Sequence, residues 1–539
     1  MKNYLKNIFV YLPILFAIVL VTGIYVGKNI SPGGLTLDQA LMPSESGGQY
    51  NKLADIINYI ENDYVDPVDR NKLTTKAIKS VIEELDPHTS YISKEEFNAV
   101  NDPLLGSFHG IGVQFNVFED TVSIVKVIPE GPSAKVGIND GDRIIMVDDS
   151  LIAGVGLTSD GAMRLLKGPK GTNVKVTVFR RGSSELIDFD IIRNVIPTYS
   201  LDVAYMVNDS VGFIKLNTFS ATTYTEFKKA GRELKKQGIK KLILDLRGNT
   251  GGYVKPAVEI ADDFLEDNKL IVYTKGNNRP KSSVYSRTNG MFENTDLVVL
   301  IDEGSASASE ILAGAIQDND RGNIIGRRSF GKGLVQEQLG FPDGSAMRMT
   351  IARYYTPTGR SIQKPYGEDF KEYYKEFYER FTNGEMQSAD SIHFVDSLMF
   401  KTPKGKIVYG GGGIMPDIFV PIEMNNPRFY NIVVNRGLAY RFAFKYTDNH
   451  RDELMKYADA NDFISSFEIG DELFADFVSY AKSNNVDRKE SEIRASTKRL
   501  KLLMKSYIGR NIFDDEAFYP VFHQIDAIFL KAQEYFTSK

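Results

Sequence analysis

The chain of 539 residues contains no cysteine. That excludes disulfides, thiolate metal sites, a cysteine nucleophile and the lipid-bearing cysteine of a bacterial lipoprotein. It does not fix the compartment, since reducing and oxidising surroundings both hold cysteine-free proteins. Histidine is scarce as well. His88, His109, His393, His450 and His523 are the five, and no two have the short helical spacing of a zinc motif. The sequence therefore requires no metal and no cofactor. An excess of positive charge is also missing: 65 Lys and Arg stand against 70 Asp and Glu, a net charge of −5, so there is no electrostatic footprint for nucleic acid. What remains is ordinary globular composition, 42% hydrophobic and 25% charged, in a chain long enough for several domains.

One long apolar run stands out. Residues 7–27 carry no charge and are rich in Ile, Val, Leu and Phe, with Lys2 and Lys6 before them and Lys28 after. The run is long enough to cross a bilayer, and the leading lysines favour a cytoplasmic N-terminus. A cleaved signal peptide is the alternative, but its small-residue cleavage site is missing. Either way the rest of the chain is expected outside the cytoplasm. Taking 1–30 as this segment, 31–48 reads as a Gly/Ser/Pro linker. Residues 49–105 then read as helical, with Leu53, Ile56, Ile57 and Ile60 on one face and Ile78, Val81, Ile82 and Leu85 on another. Asp86-Pro87-His88 closes the second helix.

Residues 106–193 form a β-rich unit. The glycine turn Gly110-Ile111-Gly112 runs into an alternating strand, and 122–128 follows as the next. Residues 131–138 read as a short helix, 141–147 as a strand, 158–166 as a second helix and 174–180 as the last core strand. Beyond it, 211–216 and 242–246 read as strands with a helix over 225–236 between them, part of an α/β layer. The second strand ends in Asp245-Leu246-Arg247-Gly248-Asn249-Thr250-Gly251-Gly252. Such glycines expose backbone N–H groups, but no Gly-Lys-Ser/Thr follows, which argues against a phosphate loop.

The chemistry is expected over residues 297–336. A buried strand at 297–301 is followed by Gly304-Ser305-Ala306-Ser307-Ala308-Ser309 and a helix over 309–316. Unpaired N–H groups and the positive helix end lie at that turn, so a serine there is either a helix N-cap or a nucleophile with oxyanion donors beside it. Residues 329–336 read as a further strand in which Gly331 and Gly333 flank Lys332. Flanking glycines allow close packing that buries the lysine stem, and burial lowers its pKa towards that of a usable base.

The ordered set GSASASE, Gln317-Asp318, Phe330-Gly331-Lys332-Gly333-x-Val335-Gln336, Pro342-Asp343-Gly344-Ser345-Ala346 and the 351–362 segment resembles the carboxy-terminal processing peptidases, or tail-specific proteases. The resemblance covers roughly residues 50–421. It implies a multidomain α+β protein: membrane anchor, helical segment, PDZ domain over 106–193, and a Clp-protease/crotonase-like α/β spiral protease domain over 194–421. A charged insertion at 365–409 departs from shorter relatives, and 422–539 is a helical extension whose role the resemblance does not supply.

By that resemblance Ser307 is the nucleophile, Lys332 the base and Gln336 the residue that orients it. In a regular strand the Cα atoms of Lys332 and Gln336 would lie roughly 13 Å apart, so the strand must bend or the side chains lean together. Asp318 lies about three helical turns beyond Ser307, too far to touch it, and reads as structural support in reach of Arg321. The oxyanion donors would be the N–H of Gly251 or Gly252 and that of Ala308. The PDZ domain would hold a substrate's terminal carboxylate in the nest at Gly110, Ile111 and Gly112. The implied partners are protein or peptide substrates with free C-termini and the membrane, with a homo-oligomer or an adaptor left open and no nucleic acid. The implied location is the bacterial inner membrane with the body in the periplasm, or export after signal cleavage. A histidine base and a catalytically silent, membrane-tethered PDZ scaffold are the rival readings.

Overall fold

The computed structural model describes residues 17–22, 51–287, 290–367, 370–392, 395–423 and 426–538. The expected anchor lies outside them except for 17–22, which are helical, and the 31–48 linker lies outside entirely. Among the described residues no helix is long and apolar enough to cross a membrane. The chain divides into two compact units, Met1–Ile78 and Lys79–Lys539. Helix α1, Lys52–Asp63, starts where the Asn51 side chain accepts the Ala54 N–H, and α2 spans Arg70–Glu83. Of the two expected apolar faces, Ile57 and Ile82 are buried, while Leu53, Ile56, Val81 and Leu85 are exposed. Strand β1, Ser90–Ile92, leads into α3, Lys94–Leu105, which opens on a reciprocal Ser93–Glu96 capping box.

A two-stranded ladder of β2, Ser107–Gly110, and β9, Asn194–Pro197, closes the entry and exit of the β-rich unit. Between them lie β3, Val113–Phe118, β4, Thr121–Val127, helix α4, Pro132–Val136, β5, Arg143–Val147, and β6, Ser150–Leu151. Helix α5, Ser159–Leu166, β7, Asn173–Phe179, and β8, Ile187–Ile192, complete it. The sheet runs β3-β4-β5-β7-β8 with β6 beside β5, so β3 is an edge. Residues 174–180 are thus not the last strand: β8 pairs with β7 along its length. Its alternation of Ile187, Phe189 and Ile191 with Asp188 and Asp190 is the usual mark of a half-buried strand.

The next layer is built from β10, Leu201–Met206, β11, Val211–Leu216, α6, Thr223–Lys236, β12, Lys241–Asp245, and α7, Val254–Asp262. Strands β13, Leu270–Lys275, and β14, Ser282–Tyr285, precede β15, Asp296–Ile301, helix α8, Ala308–Asp318, and β16, Asn323–Gly326. Then come β17, Leu334–Gly340, β18, Ala346–Tyr355, α9, Phe370–Glu379, the β19–β20 hairpin (Met399–Lys401 and Ile407–Tyr409) and β21, Ile418–Phe419. One sheet runs β10-β11-β12-β15-β16-β21, parallel throughout except at β10. The other runs β1-β18-β13-β14 with β17 on β18.

A parallel sheet needs both faces covered. In β12, Leu242 and Leu244 pack on one side with Phe227, Phe264, Ile311 and Leu312. Ile243 packs on the other with Phe213, Phe518, Ile528 and Phe529. The second cover comes from the C-terminal region, which continues α10, Arg428–Asn435, α11, Leu438–Asn449, α12, Arg451–Leu454, α13, Ala460–Ser466, α14, Asp471–Ser483, α15, Glu490–Phe522, and α16, Ala527–Thr537. Each large side chain so buried is worth about 1.5–3 kcal/mol. The extension is therefore part of the parallel sheet's core, as well as having a cluster of its own around Phe463, Phe477 and Leu503.

Candidate active site

Asp302 organises the turn after β15. Its Oδ1 accepts the N–H groups of Gly248 and Gly304, at 2.8 and 3.0 Å. Of the three serines that follow, Ser305 donates to the carbonyl of Leu246 and Ser309 to that of Asn249, each at 2.8 Å, and both are fully buried. Ser307 alone of the three keeps contact with solvent. It is the N-cap of α8 and sits at φ 55°, ψ −111°, a conformation costly for a residue with a Cβ. The helix-cap reading and the nucleophile reading thus fall on one residue.

Gly251 lies against that serine. A Cβ at Gly251 would stand 2.8 Å from Ser307 Cβ and 3.0 Å from Ala308 N, and its φ is +102°. Only glycine fits. Its N–H, however, donates to the Asn249 side chain at 2.9 Å. Among the described residues no hydrogen bond takes the N–H of Gly252 or of Ala308. Gly251 therefore gives room rather than a donor.

Lys332 is not in a strand. Strand β17 begins at Leu334, because Gly331 turns at φ +92° and the 329–333 segment runs as a loop. The flanking glycines allow close backbone approach: a Cβ on Gly333 would meet Gln363 N at 2.8 Å, and one on Gly331 would meet Gly413 N at 3.1 Å. The bend removes the 13 Å difficulty. Lys332 Nζ donates to Gln336 Oε1 at 3.0 Å, and the Gln336 amide donates to the carbonyl of His88 at 2.6 Å. Burial, helped by Arg348, holds the Lys332 pKa below its ordinary value, against the pull of Asp86 and Glu310. Among the described residues no hydrogen bond joins Lys332 Nζ to Ser307 Oγ, so the amine rests on Gln336 in this state.

Two residues not singled out from the sequence tie the halves together. Glu310 is fully buried. Its Oε2 accepts the N–H groups of Ser307 (2.8 Å) and Lys332 (2.9 Å), and its Oε1 accepts the Gly331 N–H (2.7 Å) and the Ser329 hydroxyl (2.6 Å). Burial raises its pKa, against those four donors. The Tyr354 hydroxyl lies 3.1 Å from the Ser307 carbonyl and 2.6 Å from that of Lys332. The sequence signal was present for Glu310, since Ser-x-x-Glu is a capping-box pattern. The long-range donors were not legible.

The insertion grips the same loop. Buried Arg380 donates to the carbonyls of Ser329 (3.0 Å) and Arg328 (2.6 Å) and pairs with Glu385 at 2.7 Å. Phe330 packs on Tyr373 and Phe377 of this insertion. His88 is close by, but its ring meets the Tyr373 hydroxyl at 2.8 Å. Burial and then Lys332 push its pKa down to about 4. His393 lies outside the described residues.

Asp318 is buried away from the serine, as expected, but Arg321 is not its partner. It pairs with Arg360 at 2.6 Å and accepts the Thr358 hydroxyl at 2.6 Å. Arg321 instead donates to the carbonyls of Phe264, Phe292 and Thr295. In the β-rich unit Gly110 ends β2, and Gly112 turns at φ +78°. The Ile111 and Gly112 carbonyls are tied down by Ser133 and Ile128. Among the described residues none accepts the N–H of Ile111 or Gly112.

A strand-to-helix serine and a half-buried lysine lie in the α/β domain, and the β-unit before it presents an edge strand; with the matches that follow, the protein is a serine peptidase carrying a PDZ domain. The peptidase family S41 profile matches residues 210–370, and a PDZ-domain profile matches 110–191. A family of unknown function, DUF8443, matches 429–514. The carboxy-terminal-processing protease of Bartonella bacilliformis is 33% identical over 353 residues, 64% of this chain and 79% of that protein. The carboxy-terminal processing protease CtpB of Bacillus subtilis is 34% identical over 354 residues, 64% and 72% of the two chains. A solved photosystem II D1 C-terminal processing protease has 27% identity, covers 67% of this chain and 84% of that one, and superposes with a TM-score of 0.36. The chain belongs to the carboxy-terminal processing proteases of peptidase family S41.

Proposed function

We propose that this protease cleaves by a Ser307–Lys332 dyad. The observation that carries the reading is the double tether by which Glu310 and Tyr354 fix the main chains of Ser307 and Lys332 to each other. Lys332, whose pKa partial burial lowers, moves in its neutral form from Gln336 to take the Ser307 proton as Oγ attacks the scissile carbonyl. The N–H groups of Gly252 and Ala308 receive the negative oxygen, with the positive end of α8 behind them. The protonated amine then serves the leaving nitrogen, and water releases the acyl group by the same route in reverse. Asp318 supports the fold. The crossed parallel order of β11, β12, β15 and β16 supports a Clp-protease/crotonase-like spiral for the 194–421 domain.

The PDZ domain, taken as 106–193, selects substrates by free C-terminal tails. The carboxylate is bound by the N–H groups at Ile111 and Gly112, and the tail is added as a strand beside β3. The apolar run at 7–27, with Lys2 and Lys6 ahead of it, tethers the enzyme with its body outside the cytoplasm. The test is cleavage of a tail-bearing substrate by Ser307→Ala and Lys332→Arg. Both are expected to be inactive yet folded, because guanidinium stays charged. An active Lys332→Arg enzyme overturns the dyad.

A further inference from the structure

Edge strand β3 does not face open water alone. Its outer edge, the Gly110–Gly112 turn and the Met163 and Leu166 side of α5 share one cavity of about 1420 Å³ with residues of the C-terminal helical region. That exceeds the usual size of a small-molecule pocket and suits an extended peptide. The helical wall is made by Tyr440, Tyr507, Arg510, Asn511, Asp514 and Asp515. All but Asp515 fall within the matched family of unknown function.

Strand alternation says which side chains meet that wall. Val113, Phe115 and Val117 turn to the PDZ core. Asn116 and Phe118 turn the other way: Asn116 donates to the Tyr440 hydroxyl at 2.6 Å, and the Phe118 ring lies 5.5 Å from that of Phe444. Lys126 on neighbouring β4 pairs with Asp514. A peptide laid along β3 shares the same alternation. Its last side chain and the third from last face α5. The penultimate one and the fourth from last face the helical wall, where an isolated PDZ domain would offer only solvent.

The wall is shaped and charged. Helix α15 is interrupted at Phe513 and Asp514, and Asp514 is held at φ 54°, ψ −151°, a region that side chains rarely occupy. Beside the wall, Asp202 of β10 lines the same cavity and joins Asp514 and Asp515 to make three carboxylates against two cations. Arg510 is paired with Asp515 and Lys126 with Asp514. Among the described residues Asp202 accepts hydrogen bonds only from the neutral donors Asn217 and Tyr519, so a negative charge is left over.

We propose that the C-terminal helical domain is the second half of the tail-binding site, receiving the penultimate and fourth-from-last side chains of a substrate tail and favouring a cationic one there. The inference rests on the PDZ domain reading free C-termini.

The test is fluorescence anisotropy on the full chain carrying Ser307→Ala, with short labelled peptides that end in a free carboxylate and an apolar residue. The penultimate residue is Lys or Glu. Lys is expected to bind about fivefold more tightly, the effect of one partly exposed ion pair. In Asp202→Asn/Asp515→Asn the ratio should fall close to one, while preference for an apolar over an acidic last residue persists and shows that the PDZ side is intact. Should that variant not fold, Arg510→Gln, which adds to the negative surplus, should raise the ratio. Equal binding of the Lys and Glu peptides, or a ratio that no wall substitution moves, overturns the proposal. Failure of every free-acid peptide to bind overturns tail reading itself, and this inference with it.

Discussion

Glu310 accepts the N–H of Ser307 at 2.8 Å and, on the same oxygen, the N–H of Lys332 at 2.9 Å. One buried carboxylate thereby fixes the distance between a strained helix cap and a glycine-flanked loop. The stiffness this gives matters because acyl transfer depends on sub-ångström placement of base and nucleophile.

Glu310→Gln puts an NH₂ group where two donors already point. The expected result is a loss of about a hundredfold in kcat/KM from misplacement, with a stability cost of about 1–3 kcal/mol for the unpaired donors. Steady-state kinetics beside thermal unfolding checks both. Undiminished activity in the folded variant would remove Glu310 from the site's support.

Asp318 and Arg360 form a pair with both side chains fully buried. Asp318→Asn leaves the guanidinium unpaired, and breaking such a pair costs about 3–5 kcal/mol. The expected signature is a marked fall in denaturation midpoint while the folded fraction keeps its specific activity. Loss of turnover in protein that melts normally would instead give Asp318 a part in the chemistry.

His523 is buried, stacked on Phe529 at 3.7 Å, with its Nδ1 2.5 Å from the Tyr205 hydroxyl. Burial pushes its pKa from the ordinary 6.5 down to about 3. Below 6.5 the unfolded chain takes up a proton that the folded chain refuses, so stability is full above 6.5 and falls as pH drops towards 3. The slope from this one group is up to about 1.4 kcal/mol per pH unit. Chemical denaturation at stepped pH should show that decline, and His523→Phe should flatten it. An unchanged slope in the variant would assign the acid sensitivity elsewhere.

How far the sequence could be read follows from how far apart the partners lie. Ser307, Lys332 and Gln336 stand in one dense ordered motif, and the strands around them are apolar runs, so their neighbourhood was legible. Asp318 was not correctly paired, because Arg360 lies 42 positions away and Arg321 only three. The loop at 329–333 resembled a strand because its pattern continues into β17, whereas Gly331's positive φ is a backbone fact. Glu310's partners are the cap of its own helix, Ser307, and a loop distant in sequence that carries Ser329, Gly331 and Lys332. The helical extension showed its aromatics but not that Phe529 and Ile528 close the far face of the central sheet.

The account turns on Lys332 acting as a neutral base, and the pH dependence of kcat/KM for peptide cleavage tests it most directly. With the amine's pKa held below 10.5 by burial, the rate should climb as pH rises through that lowered value and hold through mildly alkaline conditions. A rate that falls over the same range, in protein shown to stay folded, would mean that the lysine is needed as a cation and would contradict the mechanism.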